Sequence, residues 1–274
     1  NNNIEIFKKL LLLLFNNDVN LCDSHGKSIF SRAITNRSDK ILQEIVNNEK
    51  LNMSKIDIVD AFVQLYGVKN DDANNPIESM KIIYEYDKNH NRLIDFSNLL
   101  PNGKSFFTSM GSNSKYDDDI INFFLENGVD PCKPDKSGIY PLQNSITIRS
   151  EKSVQALLNS NKIDLNMKIH RNNGQTSYLF LAVFSSVQIV RKLLNKEEVD
   201  INTTDENGDT ALIIAAKYKK SDIVSLLFEY NDLDYHHINN KGLDAICTVQ
   251  TSQSIQFTQN LSKFGYKSSL LNSM

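Results

Sequence analysis

The chain predicts an all-α fold, a solenoid of about seven to eight stacked helix-turn-helix units with short turn or hairpin loops. Three observations predict it. The stretch Asp205 to Tyr230 (DENGDTALIIAAKYKKSDIVSLLFEY) reads as a tight turn, a short helix, a second turn and a second helix. Its turn recurs at Asp23-Ser-His-Gly26, Leu100-Pro-Asn-Gly103, Asp135-Lys-Ser-Gly138, Arg171-Asn-Asn-Gly174 and Asn239-Asn-Lys-Gly242. The recurrence is periodic: from Gly103 onward the glycines stand 35, 36, 34 and 34 residues apart, and Gly26 precedes Gly103 by 77, about two periods. Two short helices cannot bury an apolar face alone, so each unit must stack on its neighbours.

Each element has a local reason. In the clearest unit Gly208 supplies the positive φ of the turn. Thr210 is placed to cap a helix carrying Leu212, Ala215 and Ala216. Ser221-Asp222 opens a second helix whose inward stripe is Ile223, Val224, Leu226 and Leu227. At the front of the chain, Ile4 to Phe15 holds five leucines in a row from Leu10. It is about 12 residues long against the roughly 20 that a bilayer requires, and it lacks a signal peptide's cleavage region. It is expected as the buried second helix of a first unit that leads to Asn17-Asp18-Val19-Asn20. Ser28 to Thr35 and Lys40 to Asn47 form the next unit. Lys55 to Lys88 is a unit that has lost its glycine, with helices at Ile56–Leu65 and Ile77–Tyr84 joined by the polar loop Asn70 to Pro76.

Asp87 to Asn98 imitates a calcium loop. Asp87, Asn89, Asn91 and Asp95 hold its oxygen-ligand positions, and Ile94 its apolar one. A calcium loop also needs a glycine at its sixth position and a bidentate glutamate at its twelfth. Arg92 and Asn98 stand there, and Pro101 follows, so a loop connecting repeats is expected instead of a metal site. Ser112 to Asp119 reads as a polar link, with Asp117, Asp118 and Asp119 suited to a helix start. His236-His237 falls in a turn without a cysteine or glutamate at ligand spacing, which argues against zinc. Ser252 to Phe264 is expected to form the last helix, and Lys267 to Met274 to fray.

The chain resembles the ankyrin repeat family, whose units run roughly D-x-x-G-x-T-P-L-H-x-A, then x-I-V-x-L-L, then G-A-D-x-N. The match is best at Asp205-x-x-Gly208-x-Thr210-Ala211-Leu212 with Ile223-Val224 and Leu226-Leu227. It recurs at Asp135-x-x-Gly138-x-Tyr140-Pro141-Leu142 with Leu157-Leu158 and Asp164-x-Asn166. A further copy is Gly174-x-Thr176 with Ile189-Val190, Leu193-Leu194 and Asp200-x-Asn202. Asn127-Gly128-Val129-Asp130 closes the unit that begins at Gly103. No unit keeps the full T-P-L-H. The resemblance implies one array over residues 1–274, irregular through 100 and more regular over 101–270.

Composition bounds the function. Hydrophobic residues make up 40% of the chain and aromatics 9%, enough for a continuous core, and the net charge is −3. Lysine and arginine are scattered, which argues against a nucleic-acid or anionic-membrane partner. Cys22, Cys132 and Cys247 are odd in number, far apart and outside any C-x-x-C pair, as in a reduced intracellular, cytoplasmic protein. The chain opens on Asn1-Asn2-Asn3 without methionine and is read as a segment of a larger protein. It lacks a P-loop, a G-x-G-x-x-G, an H-E-x-x-H and a G-x-S-x-G, and His25, His90, His170, His236 and His237 all fall in predicted turns or loops. Neither a catalytic role nor a cofactor is expected.

The partner is therefore expected to be another protein, without membrane insertion. The resemblance implies a concave face lined by the second, third, fifth, thirteenth and fourteenth residues counted from the start of each turn. The fourteenth are Ile148, Phe184 and Tyr218, a candidate binding stripe. Beside them stand the thirteenth, Thr147, Val183 and Lys217. The turn tips Lys136, Asn172, Gln175, Glu206, Asn207 and Asp209 form a polar rim. The alternative is a shifted register in which the same residues are core. The leading function is a scaffold or adaptor module of a trafficking or signalling protein. The others are a host-directed pathogen or viral effector, and an array that presents substrate to a catalytic domain elsewhere in an enzyme.

Overall fold

The apolar periods fold where the sequence places them. A computed structural model of the chain describes residues 2–15, 19, 20, 22, 24–49, 51, 55–67, 75–90, 100, 102–109, 116–171 and 174–250. Outside them lie most of the expected loop at 70–76, Asn91 to Asn98 of the calcium-like stretch, Ser112 to Lys115, Asn172, and the expected last helix with the tail behind it. The described residues hold fourteen helices and one two-stranded hairpin, divided between two units, Asn1–Ser137 and Gly138–Met274.

In the first unit α1 is Asn2–Phe15, α2 Ile29–Thr35, α3 Asp39–Val46, α4 Lys55–Gly67, α5 Ile77–Asn89, α6 Phe106–Ser109 and α7 Asp117–Glu126. The helices alternate between two rows: α2 packs on α4, while α1 packs on α3, α3 on α5 and α5 on α7. Ser28 starts α2 by accepting the Ser31 N–H at 3.0 Å. Asn75 likewise accepts the Ile77 N–H at the head of α5, and the three aspartates occupy the first turn of α7. The core of this unit is aromatic. Phe62 of α4 lies 6.2 Å from Phe106 and Phe123 and 6.3 Å from Phe124, between ring centroids, and Phe124 is 5.1 Å from Phe106 and 6.0 Å from Phe107.

Two expectations change here. The second helix of the glycine-less unit runs on to Asn89, so Asp87 and Asn89 are helical. Residues two apart on a helix point apart, and Asp87 is buried, which removes them as convergent calcium ligands. Second, α1 is a helix as expected but is not buried throughout. Ile4 and Phe7 are half-buried, whereas Ile6, Leu10 and Leu12 are exposed. Its packing against α3 uses one face, with Lys8 Nζ 2.9 Å from Glu44, and the apolar residues run around more of the helix than that face covers.

In the second unit α8 is Pro141–Thr147, α9 Glu151–Asn159, β1 Ile169–Arg171, β2 Gly174–Thr176, α10 Tyr178–Val183, α11 Val187–Leu194, α12 Ala211–Lys217, α13 Ser221–Leu227 and α14 Ala245–Gln250. First helices stack in one row, α8 on α10, α10 on α12 and α12 on α14. Second helices stack in another, α9 on α11 and α11 on α13. Each pair is stapled by packing between the rows, and Leu142, Ile146, Leu157, Ile189, Val190, Ala215 and Leu227 are all fully buried. Thr210 caps α12 by accepting the Ile213 N–H at 3.3 Å, and Ser150, Ser177 and Ser186 cap α9, α10 and α11 in the same way.

The turns show why Asp or Asn recurs at their first position. Asp205 Oδ1 accepts the N–H groups of Asn207 and Asp209 at 2.8 and 2.9 Å, and Asn239 Oδ1 does the same for Lys241 and Leu243. Gly208 completes the turn at φ 74°. The Arg171–Gly174 copy is different. There the chain pairs as a β-hairpin, with Arg171 opposite Gly174, and Gly174 is not among the positive-φ glycines.

Candidate functional site

The three residues at the fourteenth positions share one structural role. Ile148, Phe184 and Tyr218 are the C-caps of α8, α10 and α12. A C-cap keeps its N–H in the helix while the next residue turns the chain away, so its side chain leaves the buried flank. After Ile148 and Tyr218 that next residue is left-handed, Arg149 at φ 60° and Lys219 at φ 56°. Ile148 and Phe184 are half-buried, and Tyr218 is 53% exposed. The Phe184 and Tyr218 rings meet edge to face, 4.8 Å between centroids and 78° between planes.

Cations surround this pair. Lys217 Nζ lies 5.9 Å from the Tyr218 ring centroid and 3.7 Å from Asp209 Oδ2. Arg149 reaches across so that Nη2 donates to the Phe184 carbonyl at 3.5 Å. Lys219 and Lys220 are exposed beside them. Sequence reasoning passed over Arg149, Lys219 and Lys220. The signal available was position: Arg37, Arg149 and Lys219 each stand fifteenth from the start of a turn, where the link between helices needs a left-handed residue.

Several expected members sit elsewhere. Val183 is 1% exposed and belongs to the core, not to the stripe. The last turn of α10 tightens to Phe184 N–H donating to Leu181 and Ser185 N–H to Ala182, three residues back. Val183 is the apolar residue of the three, whereas Thr147 and Lys217 at the matching position are exposed. Asp209 is 4% exposed and is likewise no rim contact, because Asn239 Nδ2 donates to its Oδ1 at 2.6 Å. Glu206 is exposed but engaged: its Oε1 accepts the Gln175 N–H at 3.0 Å, and its carbonyl accepts Asn240 Nδ2 at 3.2 Å. Asn207 and Gln175 are exposed. Lys136, in the first unit, is exposed with its N–H bound to the Gly103 carbonyl. Asn172 lies outside the described residues.

Chemistry beyond binding finds little to build on among the described residues. No group of three His, Cys, Asp or Glu is placed to hold a metal ion, and no helix is long and apolar enough to cross a membrane. His237 Nε2 donates to the Gly208 carbonyl at 2.9 Å, tying neighbouring turns together. Arg191 and Glu229, on α11 and just past α13, pair at 2.9 Å in solvent. Their hydrogen bond lowers the Glu229 carboxyl and raises the Arg191 guanidinium, while burial raises the nearby Tyr230 hydroxyl.

The comparisons with known proteins follow the same lines. A family model for ankyrin repeats in three copies matches residues 110–205 and 179–257, more than half of the chain. Glycerophosphocholine phosphodiesterase GDE1 of Candida albicans is 35% identical over 104 residues, which are 35% of this chain and 8% of that protein. The chain therefore spans only a small part of that relative. A chain in the structure of the Bd0816 predatory endopeptidase from Bdellovibrio bacteriovorus in complex with immunity protein Bd3460 is similar with a TM-score of 0.56. The identity is 16%, with 77% of this chain and 99% of that chain covered. At that identity the likeness shows fold alone. The matched repeats, the alternating rows of paired helices and the Asp-x-x-Gly turns place this chain in the ankyrin repeat family.

Proposed function

We propose that the chain is a non-catalytic module that binds a partner protein through the ends of its first helices, as part of a larger intracellular trafficking or signalling protein. The observation that carries this reading is the Phe184–Tyr218 pair. A 53% exposed tyrosine held edge to face on a neighbour is an ordered apolar anchor in water, and such anchors carry much of the energy of protein interfaces. Ile148, Thr147 and Lys217 extend the row, and Gln175, Glu206 and Asn207 supply exposed polar tips in the same unit.

Photo-crosslinking tests it. A benzophenone amino acid is placed at Tyr218 in one protein and at the exposed Glu229 in another, and each is exposed to cell extract. The expected result is a discrete adduct from position 218 that disappears in the folded Phe184→Asp variant. Equal adducts from both positions, or a 218 adduct indifferent to Phe184→Asp, would move the surface elsewhere.

The similarity to a named phosphodiesterase favours one second reading, an array that presents substrate to a catalytic domain outside this chain. In that case the full-length protein turns over its substrate, and Tyr218→Asp raises KM while leaving kcat. An unchanged KM would remove this reading.

A further inference from the structure

The Phe184–Tyr218 pair sits in a local inversion of charge. The chain as a whole carries −3, yet Tyr218 stands inside Lys217-Tyr-Lys-Lys220, whose three lysines are exposed, and Arg149 meets the other end of the pair at the Phe184 carbonyl. The backbone forces this crowding. Lys217 ends α12, Tyr218 caps it, Lys219 turns left-handed at φ 56°, and Lys220 is the N-cap of α13, so four consecutive side chains fan out from one corner. Carboxylates near that corner are committed. Asp209 is held by Asn239 and faces Lys217 alone at 3.7 Å, and Glu151 accepts the Ser186 hydroxyl at 3.1 Å. Asp222 lies in the first turn of α13, where the helix dipole already favours it. Among the described residues neither Lys219 nor Lys220 is held in an ion pair.

We propose that the partner presents a short acidic segment, with Asp or Glu flanking one aromatic or long aliphatic side chain that packs on the Phe184–Tyr218 pair; this rests on that pair being the binding surface. The apolar anchor gives affinity, and the cations on either side select and steer the carboxylates around it. Charge complementarity chooses the occupant. A polyanion such as nucleic acid would have to run on from the patch across a protein of net negative charge, losing at a distance what it gains at the corner. A short acidic segment ends where the cations end.

The test pans a phage-displayed library of random dodecamers against the whole chain, then measures synthetic copies of the winners by fluorescence anisotropy. The expected winners carry two or more carboxylates around an aromatic residue or leucine. Their affinity falls about tenfold or more between roughly 0.05 and 0.3 M salt, and by a similar factor in the Arg149→Gln/Lys219→Gln/Lys220→Gln variant with unchanged circular dichroism. Winners that are lost in Tyr218→Ala but ignore salt and the charge variant would overturn the acidic segment and leave the interaction surface standing. Winners indifferent to both variants would overturn both readings. An absence of acidic winners, with charge-dependent binding to phosphatidylserine vesicles or a thymidine oligonucleotide, would overturn the proposal in favour of a polyanion.

Discussion

The two units solve the same stacking problem with different chemistry. In the second, polar groups clip one repeat to the next. Asn166 follows Asp164 by two residues; its Nδ2 donates to the Glu198 carbonyl at 2.5 Å and its Oδ1 accepts the Asp200 N–H at 3.0 Å. Asn202, two after Asp200, repeats both bonds with Asp232 and Asp234 at 2.6 and 2.7 Å. In the first unit Asn20 also stands two after Asp18, but the repeat that closes the unit has Cys132 two after Asp130, whose side chain carries no amide. Around that closing repeat the unit gathers Phe62, Phe106, Phe107, Phe123 and Phe124 across α4, α6 and α7, joined by Tyr84 of α5 at 5.8 Å from Phe123. Directional bonds need the right residue at one position. A nondirectional aromatic cluster tolerates lost turns and uneven spacing, and it joins the unit that lost its turn glycine, through Phe62 and Tyr84, to the Gly103 unit that follows.

The comparison is broken most directly at Phe124. It is fully buried among four phenylalanines, so Phe124→Ala should cost about 3–5 kcal/mol. Urea denaturation gives the magnitude, and hydrogen exchange should show the loss concentrated in α4 to α7. A cost under about 1.5 kcal/mol, in the range of a well-tolerated core swap, would mean that the cluster does not hold the unit. A smaller effect is expected from Asn202→Ala, which unpairs one carbonyl and one N–H at an exposed edge and should cost about 1–2 kcal/mol. Protection should drop at the Asp234 amide in particular. If Asn202→Ala is neutral, water replaces the clip, and the polar half of the comparison fails.

These two chemistries also decide how much was legible. Apolar periodicity located α4 and α5 without their glycine, because a buried stripe is written in many residues at once. Asp135, Asp205 and Asn239 announced their turns because the side chain that makes the turn is in the motif. Arg171-Asn-Asn-Gly174 kept the period and lost that acceptor, so the spacing suggested a turn where the chain pairs as strands. The site was half legible. The C-cap positions of Ile148, Phe184 and Tyr218 follow from repeat length, which every unit shares. Val183 is apolar where Thr147 and Lys217 are polar, and it is buried beside a last turn of α10 that closes on bonds three residues back. Asp209 was placed on the rim by its fifth position in the turn; its partner Asn239 is 30 residues away, beyond any local pattern.

The links between helices sharpen the comparison at smaller scale, since both units share one imperfection. Arg37 in the first and Arg149 in the second are left-handed at φ 47° and 60°, where a side chain costs roughly 1–2 kcal/mol relative to glycine. Against that stands the extra entropy that glycine loses on folding, about 0.5–1 kcal/mol. Arg37→Gly and Arg149→Gly should therefore each stabilise by about 0.5 kcal/mol, read as a rise in the urea midpoint at constant slope. A gain in one unit only would show that the links differ despite their matching dihedral angles.

The smallest effect belongs to the Arg191–Glu229 pair. It is polar like the asparagine clips, but it joins two long side chains in water, with bonds of 2.9 and 3.4 Å from the guanidinium to the carboxylate. Exposed pairs contribute little because solvent screens them and ordering both chains costs entropy. The sign of its pH dependence is nevertheless fixed. Glu229 is lowered below its ordinary 4.5 in the folded chain, by the Arg191 hydrogen bond first. Its contribution is therefore present above about pH 4.5 and is lost as pH falls through the lowered value. Arg191, raised further by the same hydrogen bond, stays charged throughout and adds no dependence in that window. Thermal midpoints of the wild type and Glu229→Gln should differ slightly at pH 7 and converge near pH 3. The pH 7 difference should shrink further in high salt, whereas the Asn202→Ala difference should survive both treatments. A Glu229→Gln difference that persists at pH 3 would show that the side chain acts by packing rather than by charge. The division between clips that bind the backbone and a pair that binds only in water would then have to be redrawn.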